Sequence, residues 1–279
     1  MIAPTSLWFL LYAGVTLVTG LFTEYGHQFY SYGLYSSLAI IGGFAALASS
    51  CAWAVSVYRG LLPRSSQGSV AADISKLVIA NLLVFLVFAL VAFMIGLFLV
   101  IFSGIMIAAS GYDPSGSDAA DISGSIAALQ ASGGIWMIYA LSAAGLVVLI
   151  WFGLRLILYG AATVIQGRVI VFQSWGLTKG AVVKIALLAV LFMGVPFVLM
   201  VIAGEATAHV LGLETFWSEA GFSFEESATP VTGGILQSAI GWVLTALYQM
   251  PGFLLGHSLA AALYRRLGPE AVDAEITFG

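Results

Sequence analysis

The chain alternates between long apolar runs and short polar connections. A helix that crosses a ~30 Å hydrocarbon core needs roughly 20 apolar residues. Six segments have that character: about Ser6–Phe22, Leu34–Tyr58, Leu77–Ala109, Ile135–Leu154 (continuing toward Val164), Val183–Gly204 and Gly234–Tyr264. Backbone amides inside a bilayer must be satisfied within their own segment, so these runs predict helices. The alternating ~10-residue pattern of a membrane β-barrel is absent. The predicted fold is therefore all-α: a polytopic six-transmembrane-helix bundle over residues 1–267, with a short amphipathic inner-surface helix before span five. Residues 268–279 read as a short cytoplasmic tail. The third run is longer than one crossing requires. It is expected to project beyond the bilayer or bend at its outer end, where Ser103 and Gly104 weaken the helix.

Composition supports the same class. Of 279 residues, 61% are hydrophobic and 8% are charged, against about 25% charged in ordinary soluble domains. The mean hydropathy is +1.06. A water-soluble domain cannot hide that much apolar surface, which excludes a soluble enzyme, a nucleic-acid binder and a disordered chain. Cys51 is the only cysteine, so no intrachain disulfide or CxxC pair exists; in an apolar run it reads as a small packing residue. The N-terminal stretch has no basic n-region and no small-residue cleavage site, so it is read as the first span rather than a signal peptide.

The position of the few charges predicts orientation. The 9 basic residues fall on alternate connections: Arg59, Arg64 and Lys76; then Arg155, Arg168, Lys179 and Lys184; then Arg265 and Arg266. The other connections carry Glu24, then Asp113, Asp118 and Asp121, then Glu205, Glu214, Glu219, Glu225 and Glu226. The positive-inside rule counts Lys and Arg near span ends, and it predicts both termini on the cytoplasmic side. Of the two long outer loops, Ser110–Gly134 is Gly/Ser/Asp-rich and reads as flexible. Glu205–Gly233 is acidic and contains Phe216, Trp217, Phe222 and Phe224, which suggests an amphipathic segment at the outer interface.

The link between spans four and five holds the most specific motif. It contains Arg155-x-x-Leu158, a Gly167-Arg168 turn, and Ser174-Trp175-x-Leu177-Thr178-Lys179-Gly180 before the next apolar run. Phe172 and Trp175 are three apart, on one face of a short helix. Gly180 is placed to end that helix, Trp175 to anchor it, and Lys179 to snorkel toward the headgroups. This motif resembles a bacterial integral-membrane family: the membrane domain found fused to glycerophosphodiester phosphodiesterases, and the YciC-like inner-membrane proteins. The resemblance rests on Arg155, Gly167, Ser174, Trp175, Leu177, Thr178, Lys179 and Gly180. It implies a membrane architecture in the bacterial inner membrane. The basic amphipathic lead-in of such proteins and their hydrolase domain are not in this sequence, so it implies no phosphodiesterase activity.

Other patterns concern packing and polar residues in the spans. Tyr58-Arg59-x-Leu61-x-Pro63 recurs as Tyr264-Arg265-x-Leu267-x-Pro269, read either as convergent interface anchoring or as a repeat of helix pairs. Small residues at i+4 steps, Gly42/Ala46/Ser50/Ala54 in span two and Gly252/Gly256/Ala260 in span six, allow close backbone approach. Asn81, Gln237, Gln249 and His257 are polar residues in apolar surroundings, and such residues mark either interhelical bonds or a binding site. Pro196 and Pro251 each interrupt a helix, so Gln249, Pro251 and His257 outline a candidate solute site. His27, His209 and His257 are scattered, and no metal centre or cofactor is expected. No catalytic fingerprint is present.

These readings converge on an integral inner-membrane protein without catalytic machinery, an accessory or scaffold in envelope or lipid-related processes. The alternative is a small transporter with a site near Pro196, Gln249, Pro251 and His257. Membrane lipids are the expected partners, a membrane-protein partner stays open, and no nucleic acid is expected.

Overall fold

Apolar length and local hydrogen bonding shape every element of the chain. The computed structural model describes residues 2–25, 32–62, 68–111, 119–211 and 235–268. Among them there is no strand, and about 90% of them are helical. The elements are α1 (Ile2–Tyr25), α2 (Tyr32–Leu61), α3 (Val70–Ala109), α4 (Ala119–Ala131), α5 (Gly134–Leu156), α6 (Tyr159–Gln166), α7 (Gln173–Leu177), α8 (Val182–Ala189), a π-helical turn (Val190–Gly194), α9 (Val195–Leu211) and α10 (Ile235–Leu267). Among the described residues, six helical stretches are long and apolar enough to cross a membrane. The all-α, six-span class is thus what the chain adopts.

Several boundaries differ from the sequence reading. The third span is not interrupted at Ser103 and Gly104. It is one 40-residue helix that starts at Val70 and contains Asp73 in its first turn, about 60 Å long at ~1.5 Å per residue. Glycine weakens a helix by the backbone freedom it loses on ordering, about 1 kcal/mol, and in an apolar setting an unmade backbone hydrogen bond costs more than that. Ser103 closes its own hydroxyl onto Val100 O at 2.9 Å. The Gly/Ser/Asp-rich connection expected to be flexible contains α4. Ile122, Ile126 and Leu129 repeat there at helical spacing, and Leu129 is buried. The acidic aromatic loop with Phe216, Trp217, Phe222 and Phe224 lies outside the described residues, as does the tail from Pro269.

The chain divides into two compact units, one formed by Met1–Ala80 with Ile157–Gly279 and one by Asn81–Leu156. In the second unit α4 packs on α5. A Cβ on Gly145 would sit 2.7 Å from Ile95 Cγ2, so Gly145 lets the long α3 approach α5 closely. Arg155 lies over the Trp151 ring at 5.4 Å. Asn81 is half-buried at the start of this unit. Phe85, Phe93 and Val100 on α3, and Trp136 and Val147 on α5, are exposed. Such exposure suits hydrocarbon, which solvates these side chains as well as a protein neighbour does.

In the first unit α1, α2 and α10 pack against one another, and α9 and the π turn pack on α10. The stripes of small residues lie at these contacts. A Cβ on Gly42 would meet Thr19 Cγ2 of α1 at 3.0 Å, one on Gly252 would meet Met200 Cε at 3.2 Å, and one on Gly256 would meet Met193 Cε at 3.3 Å. Ala54 and Ala260 are buried, and Ala46 and Ser50 are half-buried. Gly20 is the tightest approach: a Cβ there would fall 2.3 Å from the Trp242 ring. The π turn precedes Pro196, whose ring and missing N–H disturb the carbonyl one turn back, at Phe192. Widening the helix over Val190–Gly194 accommodates that disturbance.

Burial in this unit is concentrated at the end where the basic residues lie. Cys51–Val55 and Tyr58 of α2, Ala161–Ile165 of α6, and Leu259–Ala261 with Tyr264 of α10 are buried. The opposite halves expose Val18, Ile40 and Ile41. The cause is α6. The chain leaves α5 at Leu156, breaks its helix at Ile157 and Leu158, and packs α6 on α2 and α10. Gly167, with φ 62°, ends α6 in the left-handed conformation that glycine adopts freely.

Candidate functional site

The polar side chains of the first unit fall on two adjoining features: a seam between α1, α2 and α10, and the buried end built around α6. The seam begins with Tyr12 on α1, whose hydroxyl donates to Gln249 Oε1 of α10 at 2.8 Å. Below it, Trp53 of α2 is fully buried and stacks on Phe253 with ring centroids 3.9 Å apart and planes 5° from parallel. Phe9 and Tyr12 contact the same indole at 5.1 Å and 5.6 Å. Below that, Tyr58 Oη and His257 Nδ1 share a hydrogen bond of 2.6 Å. The His257 ring stands edge-on to both Tyr58 and Phe253. Polar pairs thus alternate with an aromatic layer.

Spacing explains the alternation. Gln249, Phe253 and His257 lie at i, i+4, i+8 on α10, one face of a helix. Pro251 is inside that helix and removes the donor to the carbonyl of Leu247. Gly160 sets the height of Tyr58, because a Cβ there would be 2.9 Å from Tyr58 Oη. Trp53 Nε1 and Thr16 Oγ1 are buried without a hydrogen-bond partner among the described residues.

The buried end contains an ion pair. Arg59 donates to Asp73 Oδ2 through Nε at 2.8 Å and through Nη2 at 2.5 Å, and to Gly68 O at 2.8 Å. The side chains are 13% and 3% exposed. Arg265 donates to Leu61 O, a terminal carbonyl of α2. A cation at a helix C-terminus meets the negative end of the dipole. The two Tyr-Arg copies therefore make different contacts. Tyr58 meets His257 whereas Tyr264 accepts from Gln166 Nε2 at 3.1 Å; Arg59 meets a carboxylate whereas Arg265 meets a carbonyl.

The Ser-Trp-x-Leu-Thr-Lys-Gly motif lies on the same end. Ser174 and Thr178 are fully buried: Ser174 Oγ donates to Val171 O at 2.9 Å, and Thr178 Oγ1 donates to Ser174 O at 3.0 Å. Trp175 is half-buried, and Lys179 is exposed. Gly180 has φ 81°, the left-handed turn that releases the chain into α8. Arg155, read with this motif in the sequence, belongs to the other unit.

Of the polar candidates, Gln249 and His257 are thus brought to one seam, each bonded to a different neighbouring helix. Asn81 belongs to the second unit, and the side chain of Gln237 lies outside the described residues. Sequence reasoning missed Tyr12, Trp53 and Asp73. Asp73 had a legible signal, since it is the one acidic residue in the connection holding Arg59, Arg64 and Lys76. Tyr12 and Trp53 had none, because their partners are far away in the chain. Compared with known proteins, the chain matches no family model, no curated protein and no solved structure.

Proposed function

We propose that this is an integral protein of a bacterial inner membrane, without catalytic machinery, acting as an accessory or scaffold in envelope or lipid-related processes. One observation carries the reading: two of the three polar candidates on α10, the two whose side chains are described, are engaged in helix-to-helix bonds, Gln249 with Tyr12 and His257 with Tyr58. Groups used this way specify helix pairing. The resemblance of the Ser174–Gly180 motif to the phosphodiesterase membrane domain and the YciC-like proteins supports the same reading. The orientation proposed is that of the positive-inside rule, with both termini cytoplasmic.

Topology has a direct test. Ser117→Cys is expected to react with an impermeant thiol reagent from outside intact cells, and Ser65→Cys only after permeabilisation. Cys51 is 1% exposed, so the background is low. The opposite labelling pattern would overturn the orientation.

A second reading, a small transporter, is favoured by the π turn before Pro196 and by Pro251 on the neighbouring helix. Interrupted helices line the substrate sites of many transporters. On that reading the double variant Gln249→Leu/His257→Leu lowers solute flux into proteoliposomes at least about tenfold, a loss of ~1.4 kcal/mol or more. Flux unchanged by the double variant would sink it.

A further inference from the structure

The segment from Gly167 to Lys184 has two unlike sides. Its inner side is keyed into the first unit. Thr163 Oγ1 donates to Ile170 O and accepts from Ile170 N, both at 3.1 Å, and Ile170, Val171, Ser174, Thr178 and Ile185 are buried. Its exposed side chains include Arg168, Lys179 and Lys184, with Phe172 at 64% exposure and Val183 at 74%. Left-handed turns at Gly167 and Gly180 punctuate this stretch, so all of these residues fall within one short length of chain between α6 and the start of α8.

The charges of this cluster are uncompensated. Arg59 on the same unit is neutralised by Asp73. Arg168, Lys179 and Lys184 have no carboxylate partner among the described residues. Arg168 is instead held by a neutral amide, donating through Nη2 to Gln166 Oε1 at 3.1 Å. Gln166 is in turn fixed to Tyr264 of α10. A guanidinium oriented by an amide keeps its full charge and most of its donors for an external anion. Val183, Leu187 and Leu191 are exposed at i, i+4 and i+8 along α8 and the π turn, an apolar series that begins at the residue before Lys184.

We propose that this cluster binds an anionic phospholipid, its headgroup phosphate on Arg168, Lys179 and Lys184 and its acyl chain along Val183, Leu187 and Leu191. Charge complementarity selects the anionic headgroup, and the adjoining apolar strip selects a lipid over a free phosphate. The inference deepens the membrane-protein reading by naming a lipid class, and it does not depend on which side of the membrane the cluster faces.

The test uses the full chain in nanodiscs of equimolar phosphatidylglycerol and phosphatidylcholine, with co-retained lipid counted by native mass spectrometry after release into detergent. The wild type is expected to retain phosphatidylglycerol preferentially. Arg168→Gln/Lys179→Gln/Lys184→Gln is expected to reduce that preference about tenfold, a discounted figure for three basic side chains at a membrane surface. Lys76→Gln/Arg266→Gln, also at basic positions, is expected to leave it intact. Lys179→Gln/Lys184→Gln removes only exposed side chains and serves if the triple variant does not fold; its preference should fall severalfold. No preference in the wild type, or equal loss in the Lys76/Arg266 variant, overturns the proposal. Displacement of the lipid by excess inorganic phosphate also overturns it, because the acyl strip would then contribute nothing. Reversed cysteine labelling would leave these outcomes unchanged, so the orientation and the lipid site fail separately.

Discussion

Trp53→Ala is expected to destabilise the protein by about 3 kcal/mol, toward the low end for deleting a large buried aromatic. Trp53 is fully buried and touches all three helices of the seam: its own α2, Phe9 and Tyr12 of α1, and Phe253 of α10. Truncation removes the stacked Phe253 contact and leaves a cavity between helices. The hydrophobic part of the loss is reduced in a membrane, since lipid also receives an apolar ring well. The lost close contacts are not replaced, because a rigid cavity has no atoms to restore them. Trp53→Phe separates ring from N–H. It keeps an aromatic face for Phe253 and deletes an Nε1 that has no hydrogen-bond partner among the described residues. Its expected cost is about half that of Trp53→Ala, because the ring that remains fills most of the space and leaves a smaller cavity. Unfolding by denaturing detergent, followed through tryptophan fluorescence or far-UV circular dichroism, measures both. Equal losses in the two variants would refute the packing account.

Asp73→Leu is expected to cost a similar amount, about 3 kcal/mol, for an electrostatic reason. Removing one member of a buried pair leaves the other charge uncompensated, a penalty of ~3–5 kcal/mol. The lower end applies because Arg59 is 13% exposed and keeps Gly68 O as an acceptor. The double variant Arg59→Leu/Asp73→Leu should be more stable than Asp73→Leu alone, since no unpaired charge remains. A double-mutant cycle by the same unfolding measurement isolates the coupling. A double variant no more stable than the single one would mean that Asp73 acts through helix capping at the start of α3, not through Arg59.

These two sites show where sequence reading succeeds and where it stops. Span positions were legible because each depends on a local requirement, an apolar stretch long enough to satisfy its own backbone. The observed helices start or end within a few residues of the expected positions for α1, α2 and α10. The turn at Gly180 was legible, because a left-handed φ is a local property of glycine, although the short helix expected to end there closes earlier, at Thr178. The length of α3 left two outcomes open, projection or a bend at Ser103 and Gly104, and its helix is unbroken over 40 residues. The α4 helix was missed because the glycines and serines masked the repeat of Ile122, Ile126 and Leu129.

Pairing is a different matter. Tyr12 and Gln249 are 237 residues apart, and Tyr58 and His257 are 199 apart. Which helices become neighbours follows from how many side chains pack at once, at Gly20 against Trp242 and at Gly160 against Tyr58. No window of sequence contains those pairs. The amino-acid sequence by itself determined the class, the six spans and the segregation of basic from acidic connections, all consequences of local apolar length and formal charge. Only the tertiary structure decided that Gln249 and His257 are bonded to separate helices, that α6 is buried between α2 and α10, and that Arg59 is neutralised while Arg168, Lys179 and Lys184 have no carboxylate partner among the described residues. The physical reason is that a charge or a polar group acquires its role from the partners within a few ångströms of it, and those are set by helix packing rather than by neighbours along the chain.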